Sequence, residues 1–143
     1  MKFFIAAPWR SKDIVEGLVA ALGERGYQTY SFLENGANLL TGASVVDELK
    51  QFADALKEWQ GNQGIKTIFD SELAGLKESD VILMLEPAGH SSLIEAGIGY
   101  GLGKRVIIIG EVEKPEVFYL IAEKLYPDIP TFLNDLANIA PNA

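Results

Sequence analysis

The sequence predicts a single α/β domain over residues 1–143, built as a doubly wound parallel sheet of about five strands with helices on both faces. Two runs that lack any polar residue, 81–85 and 106–109, have the length and continuous apolar character of strands buried on both faces of a parallel sheet. Amphipathic stripes of helical period separate the strand-like segments. This alternation is typical of parallel strands joined by right-handed crossovers.

The first elements are predicted from an apolar run and from capping residues. Residues 2–7 form an apolar run of strand length, and Ser11 is a suitable N-cap for the amphipathic helix that follows. Gly26 ends this helix, and the aromatic segment 27–32 predicts a second strand. We therefore expect the chain to open with a strand, a helix and a strand.

The remaining elements are assigned by the same criteria of period, apolar content and turn residues. In order, they are a loop from Asn35 to about Gly42, a helix over 44–59, a break at 61–64, a helix over 65–76, a strand at 81–85, a helix at 92–102, a strand at 106–109, a helix near 116–124 and a last helix through 132–136.

Composition and charge exclude several classes of function. With 12 Lys and Arg against 20 Asp and Glu the net charge is −8, which would repel nucleic acid. No apolar run approaches the roughly 20 residues that a membrane helix needs. The absence of cysteine excludes disulfides, Cys-ligated zinc and thiol nucleophiles. We expect a cytoplasmic protein that binds a small molecule and uses no metal or organic cofactor.

The turns after the first and the central strand are the expected positions of a site, because ligands bind beyond the carboxyl ends of parallel strands. Glu95 lies early in the helix after the central strand, where the N-terminal dipole favours an ionised carboxylate. Such an anion can stabilise or trap the positive charge of a sugar whose N-glycosidic bond breaks. Equally, Ser92 and Glu95 match the S-x-x-E capping box, whose Glu only satisfies the helix N-terminus. If Ser91 is the N-cap, Glu95 is free to face the cleft.

Other residues of these turns are candidate ligands of a substrate. Trp9 could stack on a nucleobase or pack in the core, and Arg10 could pair with an anion. His90 is the only histidine, so it cannot form part of a His-rich metal site, and it is predicted to be a polar turn residue. Ser91 and Ser92 could bind a phosphate or a ribose hydroxyl, or simply cap the helix.

The glycines Gly97, Gly99, Gly101 and Gly103 match neither a P-loop nor a dinucleotide-binding fingerprint, because the spacing and the order relative to the strand differ. They are predicted to allow close packing of the helix against the sheet or a second subunit.

The turn Pro-Ala-Gly at 87–89, the run Glu-Ala-Gly-Ile-Gly-Tyr at 95–100 and Gly-Lys at 103–104 resemble the nucleoside 2-deoxyribosyltransferase family, which includes deoxynucleoside 5′-monophosphate N-glycosidases. The likeness is motif-specific around 3–10 and 72–106. It implies a flavodoxin-like fold and a homodimer or larger homo-oligomer in which neighbouring subunits complete the site.

By this resemblance Glu95 falls where the family has its nucleophilic glutamate, and Trp9 matches a tryptophan of the transferases. Glu72 falls where an aspartate often helps to hold the nucleoside, and Gly89 where the transferases have a second acid. We include Glu72, Gly89 and His90 with Trp9, Arg10, Ser91 and Ser92 as substrate-binding candidates.

Two further positions depart from the family pattern. Phe4 stands where the transferases have a tyrosine beside the nucleophile, and Pro8 where the monophosphate hydrolases use a phosphate-binding serine.

The implied activity is transfer of a deoxyribosyl group between bases through a covalent glutamyl-sugar intermediate at Glu95. One alternative is hydrolysis of a nucleoside 5′-monophosphate, with Arg10, Ser91 and Ser92 around the phosphate. The other alternative is a nucleotide-binding module without catalytic activity.

Overall fold

The computed structural model describes residues 1–35 and 45–141, and for residues 45–49 and 51 it describes the backbone alone. Its sheet has five parallel strands in the order β2-β1-β3-β4-β5. The strands are β1 Lys2–Ala6, β2 Gln28–Tyr30, β3 Val81–Leu85, β4 Arg105–Ile109 and β5 Lys124–Tyr126. The predicted fold class is therefore confirmed.

Six α-helices are described between and after these strands. They are α1 Lys12–Glu24, α2 Val45–Leu56, α3 Gln63–Glu78, α4 His90–Gly101, α5 Ile129–Asn134 and α6 Leu136–Ile139. Short 3₁₀ turns lie at Trp9–Ser11, Phe32–Asn35, Trp59–Gly61 and Val117–Ile121. In the described part of the chain, no helix is both long and apolar enough to span a membrane.

Alternation along the strands separates the core into two layers. Phe3 and Ile5 point to the face covered by α1, α5 and α6, whereas Phe4 and Ala6 point to the face covered by α3 and α4. All five residues of β3 are buried, as expected for the central strand of a parallel sheet.

The sequence misassigned the segment before the last helices. Residues 116–124 were predicted to be helical, but they form a 3₁₀ turn, and Lys124–Tyr126 adds the fifth strand at the sheet edge. This strand has three residues and only Tyr126 is buried, so it carries no apolar run that would predict it. The loop predicted after Asn35 and the predicted helix start at Ser44 lie outside the described residues.

Close packing against the sheet explains why position 99 of α4 is a glycine. A Cβ on Gly99 would lie 2.4 Å from Cγ1 of Ile82 in β3, so only glycine lets the helix approach the sheet this closely. In the part of the chain that the structure describes, no packing atom lies within 4 Å of such a Cβ on Gly97 or Gly101, so the packing prediction does not hold for them there. Gly103 follows the helix at φ +79°, where glycine is favoured.

We expect Gly99→Ala to lower the free energy of unfolding by about 1–3 kcal/mol, because the added methyl group overpacks the Ile82 contact. The matched control is Gly97→Ala, which adds the same methyl group to open space in the same helix. It should stabilise the protein by about 0.5–1 kcal/mol through helix propensity. Urea denaturation measures both, and equal effects of the two substitutions would contradict the packing role of Gly99.

Candidate functional site

A cavity of about 620 Å³ opens at the carboxyl edge of the sheet, where the chain leaves β1 and β3. We call it the site cavity. It brings together all eight residues that the sequence analysis singled out for a site, namely Trp9, Arg10, Glu72, Gly89, His90, Ser91, Ser92 and Glu95. The juxtaposition is observed, whereas the roles assigned to these residues stay predictions.

Helix α4 begins earlier than the sequence predicted, and this frees Glu95. Gly89 is the N-cap, and its N–H donates to the Oγ of Ser92 at 3.3 Å. The expectation that Ser91 or Ser92 caps the helix is therefore wrong. The Ser92–Glu95 capping box is not formed either, because the hydroxyl of Ser92 accepts from the cap instead of serving as the cap.

Glu95 lies half-buried in the cavity wall beside Glu72 of α3. Burial raises the pKa of Glu95 to about 9, with a further contribution from the charge of Glu72. Burial also raises the pKa of Glu72, to about 7. The prediction that Glu95 stays ionised is thus wrong for the unliganded chain. Its position is the sixth of the helix, beyond the first turn in which the dipole acts.

One side of the site cavity is aromatic and aliphatic. Trp9 is half-buried, and its ring lies 4.5 Å from that of Phe32, centroid to centroid, at an interplanar angle of 51°. Phe52, Leu56 and Ile68 extend this apolar wall from α2 and α3. Trp9 thus packs on a neighbour and still lines the cavity, in a position suited to contact with a flat ring.

Other residues of the lining are polar and open to solvent. The side chains of Arg10, His90 and Ser91 are exposed, and Nη2 of Arg10 lies 3.4 Å from the carbonyl oxygen of Pro87. Ser92 differs from Ser91, because it is fully buried and its hydroxyl is engaged with Gly89. An anion at this end would meet the guanidinium of Arg10 and the start of α4.

Sequence reasoning missed several residues of this cavity. The apolar residues Phe52, Leu56 and Ile68 follow the helical stripes that predicted core faces, and periodicity does not distinguish a core from a cavity wall. Asn35 was read only as the start of a loop, yet it is 3% exposed and lines the cavity. Only the buried environment, which depends on the tertiary structure, identifies it.

A second, smaller opening reaches the same carboxyl groups from the groove between α3 and α4. It has a volume of about 160 Å³ and shares Glu72, Ser91 and Glu95 with the site cavity. Phe69 and Ile94 line it and are 58% and 62% exposed. Glu72 and Glu95 are therefore accessible from two sides in the single chain.

A larger cavity of about 1050 Å³ lies on the other side of α4, between that helix and the segment after β4. It contains Glu86 but none of the eight predicted residues. The site cavity remains the better candidate, since it lies where the chain connections diverge and holds two neighbouring carboxyl groups whose pKa values are raised by burial. Among residues 1–35 and 45–141 no group of three or more His, Asp or Glu side chains is arranged to hold a metal ion.

Comparisons with known proteins agree with this architecture. No family model matches the sequence, and no curated protein matches it. Among solved structures, a 2-deoxyribosyltransferase of Bacillus psychrosaccharolyticus matches with a TM-score of 0.66 and 17% identity, over 96% of this chain and 91% of the other. A CMP N-glycosidase of Clostridium botulinum matches with a TM-score of 0.59 and 16% identity, over 95% and 98%. At this identity the matches show a shared fold, so the predicted resemblance is confirmed at that level.

The raised pKa of Glu95 predicts how stability depends on pH. Between its ordinary value of 4.5 and about 9, the folded chain keeps a proton that the unfolded chain has lost. Stability therefore falls as the pH rises through this window. At pH 9 we expect Glu95→Gln to unfold about 3 °C or more above the wild type, with a smaller difference at pH 5.

The matched control is Glu16→Gln, which removes the same charge from an exposed position on α1. Thermal unfolding followed by circular dichroism at both pH values measures the effect. An equal shift for both variants would show that net charge, rather than burial of Glu95, is responsible.

Proposed function

We propose that this chain cleaves the N-glycosidic bond of 2′-deoxynucleosides and transfers the deoxyribosyl group to another base, with Glu95 as the nucleophile. One observation carries the proposal: Glu95 and Glu72 are neighbouring half-buried carboxyl groups in a cavity that is lined both by aromatic side chains and by exposed polar ones. The shared fold with a 2-deoxyribosyltransferase and an N-glycosidase supports the same class of chemistry.

Cleavage of the N-glycosidic bond needs a nucleophile and a proton donor, and the two carboxyl groups can supply both. Because burial and the charge of the neighbouring carboxylate disfavour two charges, the pair holds a single proton between about pH 7 and pH 9. One group is then a carboxylate and the other a carboxylic acid, which is the division of labour that bond cleavage at a sugar needs. With substrate bound, we assign the charge to Glu95 and the proton to Glu72.

In the first step an oxygen of Glu95 forms a bond to C1′ while the bond from C1′ to the base nitrogen breaks. The electron pair of that bond passes to the base, which takes the proton of Glu72 and leaves. In the second step a nitrogen of the incoming base bonds to C1′ and the ester bond to Glu95 breaks. Glu72 takes the proton that the incoming base loses, so the pair returns to its starting state.

Water attacking the ester would give hydrolysis instead of transfer, so transfer requires a site from which water is excluded. In the single chain the groove past Phe69 and Ile94 leaves Glu72 and Glu95 open. We propose that a second copy of the chain covers these exposed apolar side chains in a homodimer or larger homo-oligomer. Closure of this groove would remove two hydrophobic residues from water and also dry the site.

A second candidate function is hydrolysis of nucleoside 5′-monophosphates. It is favoured by the exposed Arg10, His90 and Ser91 at the start of α4, since together they offer a cation and helix N–H groups to a phosphate. In that case the polar end of the cavity holds the phosphate and the aromatic wall holds the base.

The central test is Glu95→Gln, assayed with deoxynucleosides and their 5′-monophosphates in the presence of a free acceptor base. We expect base exchange by the wild type and a loss of about 10³-fold or more in the variant, because an amide cannot form the ester. Glu86→Gln is the matched control, since Glu86 also follows β3 but faces the other cavity. Chromatography of released and exchanged bases measures both.

Each other result of this assay has a defined meaning. Turnover that survives Glu95→Gln contradicts Glu95 as the nucleophile. Release of base from monophosphates only, without exchange, favours the hydrolase. Binding of nucleotides without any product over a long incubation would favour the non-catalytic module.

The carboxyl pair also predicts a bell-shaped pH dependence of kcat. The rate should fall below about pH 7, where both groups are protonated, and above about pH 9, where neither is. In Glu72→Gln a single titrating group remains, so the alkaline limb should disappear and the maximum should fall by about 10²-fold. Persistence of the alkaline limb in this variant would show that another group supplies the proton.

A further inference from the structure

Tyr30, the last residue of β2, lies along one turn of helix α3. A Cβ added to Gly75 would lie 2.6, 2.7 and 2.8 Å from three carbon atoms of the Tyr30 ring, so the ring packs directly on the helix backbone. The hydroxyl of the same side chain forms a hydrogen bond with Oγ of Ser71 at 2.8 Å. Because Ser71 and Gly75 are four residues apart, they lie on one face of α3, about 6 Å apart along its axis. Tyr30 therefore contacts two successive levels of the helix.

The Tyr30 side chain is itself held from behind. Its ring stacks on that of Phe4 with centroids 5.2 Å apart, and Phe4 is buried in the core. Its hydroxyl also accepts a hydrogen bond from Nδ2 of Asn35 at 3.0 Å. Since a close-packed interior leaves little room for displacement, the ring is a fixed surface against which α3 packs.

Glu72 belongs to the turn of α3 that Tyr30 contacts. It follows Ser71 directly and precedes Gly75 by three residues. Burial raises the pKa of Tyr30, and the charge of Glu72 contributes to this rise, so the phenol and the carboxyl group are close enough to interact. A displacement of this turn would therefore displace Glu72.

The other carboxyl group of the site is held by a different contact. Glu95 lies on α4, whose backbone packs on the sheet where Gly99 meets Ile82. The distance between the two carboxyl groups therefore depends on where each helix rests on the sheet. For α3, the contact next to the site is the one with Tyr30.

Resting on the proposed function, we propose that Tyr30 is a positioning residue that sets the distance between the carboxyl groups of Glu72 and Glu95. It does so by fixing the turn of α3 that contains Ser71 and Gly75. Tyr30 lines neither the site cavity nor the smaller opening, so it acts through Glu72. The proton donor of the first step is then held at one place beside the nucleophile.

The first test is Gly75→Ala, which places a methyl group against the Tyr30 ring. Because the ring cannot retreat, we expect α3 to move outward, so that Glu72 lies farther from Glu95 and closer to water. The kcat of base exchange should fall about tenfold or more, with KM changed by less than about twofold. The matched control is Gly17→Ala in α1, because in the described part of the chain no atom lies within 4 Å of the added Cβ.

The decisive readout is the titration of the carboxyl pair, because a loss of stability alone would not change it in this direction. Carbon-13 NMR of protein labelled at the glutamate side-chain carboxyl carbon measures it, with signals assigned from Glu72→Gln and Glu95→Gln. The wild type should show apparent pKa values of about 7 and about 9. In Gly75→Ala both should fall towards the ordinary 4.5, since the groups are better hydrated and farther apart. Ionisable groups near the pair that stay the same in every variant are Arg10, His90 and Tyr30.

Ser71→Ala provides a milder variant in case Gly75→Ala does not fold. It removes the hydrogen bond to Tyr30 without adding volume, so we expect the same changes at a smaller size, with kcat about threefold lower. The matched control is Thr67→Ala, which removes a hydroxyl one turn earlier on α3, where it donates to the carbonyl oxygen of Gln63 at 2.9 Å. Thr67→Ala should leave the titration and kcat at their wild-type values.

Each outcome separates the positioning role from the function on which it rests. If the titration is unchanged in Gly75→Ala and Ser71→Ala, or changes as much in the controls, Tyr30 does not set the distance between the carboxyl groups. If the titration shifts but kcat does not, Tyr30 has no positioning role in the reaction. If the wild type turns over no nucleoside, the proposed function fails, and the titration, which needs no substrate, still decides whether Tyr30 places Glu72.

Discussion

The parallel pairing of β1 with β3 is the constraint on which the site depends. Phe3 pairs with Val81 and Ala6 with Met84, so the two strands end side by side at one edge of the sheet. From there the chain passes to α1 on one face and to α4 on the other. Because the two connections diverge, a crevice must open between them. Trp9 and Glu95 line one cavity because of this topology, although 85 residues lie between them in the sequence.

The packing of α4 against the sheet sets the position of Glu95 within that crevice. Gly99 brings the helix backbone against Ile82, near the start of β3. Glu95 lies four residues before Gly99 on the same face of α4, which is about 6 Å along the helix axis. The distance from Ile82 to Met84 along β3 is similar, about 6.6 Å, so Glu95 lies at about the level of Met84. The carboxyl group therefore stands near the carboxyl edge of the sheet. Gly99 therefore takes no part in the proposed reaction, but its packing helps to place Glu95, which does.

The sequence predicted what depends on local pattern and missed what depends on neighbours in space. The apolar run of β3 and the helix that carries Glu95 were predicted because strand and helix periods are local properties. The edge strand Lys124–Tyr126 was missed because pairing with β4, not composition, makes it a strand. The cap of α4 was misplaced for a related reason: Gly89 has no capping side chain, and Ser92 reaches back to it. The ionisation of Glu95 was misjudged because its burial, and secondly its proximity to Glu72 of another helix, depend on the tertiary structure.

The site cavity concentrates groups that the unliganded fold leaves without full compensation. Burial raises the pKa of both Glu72 and Glu95, and Oδ1 of Asn35 has no hydrogen-bond donor among the residues that the structure describes. A cavity with a purely structural role would be expected to lose such features, because each costs stability and contributes none. Strain of this kind persists where a ligand relieves it. The electron-poor sugar of a nucleoside would draw charge onto Glu95, so the ligand of the proposed function would compensate the carboxyl pair.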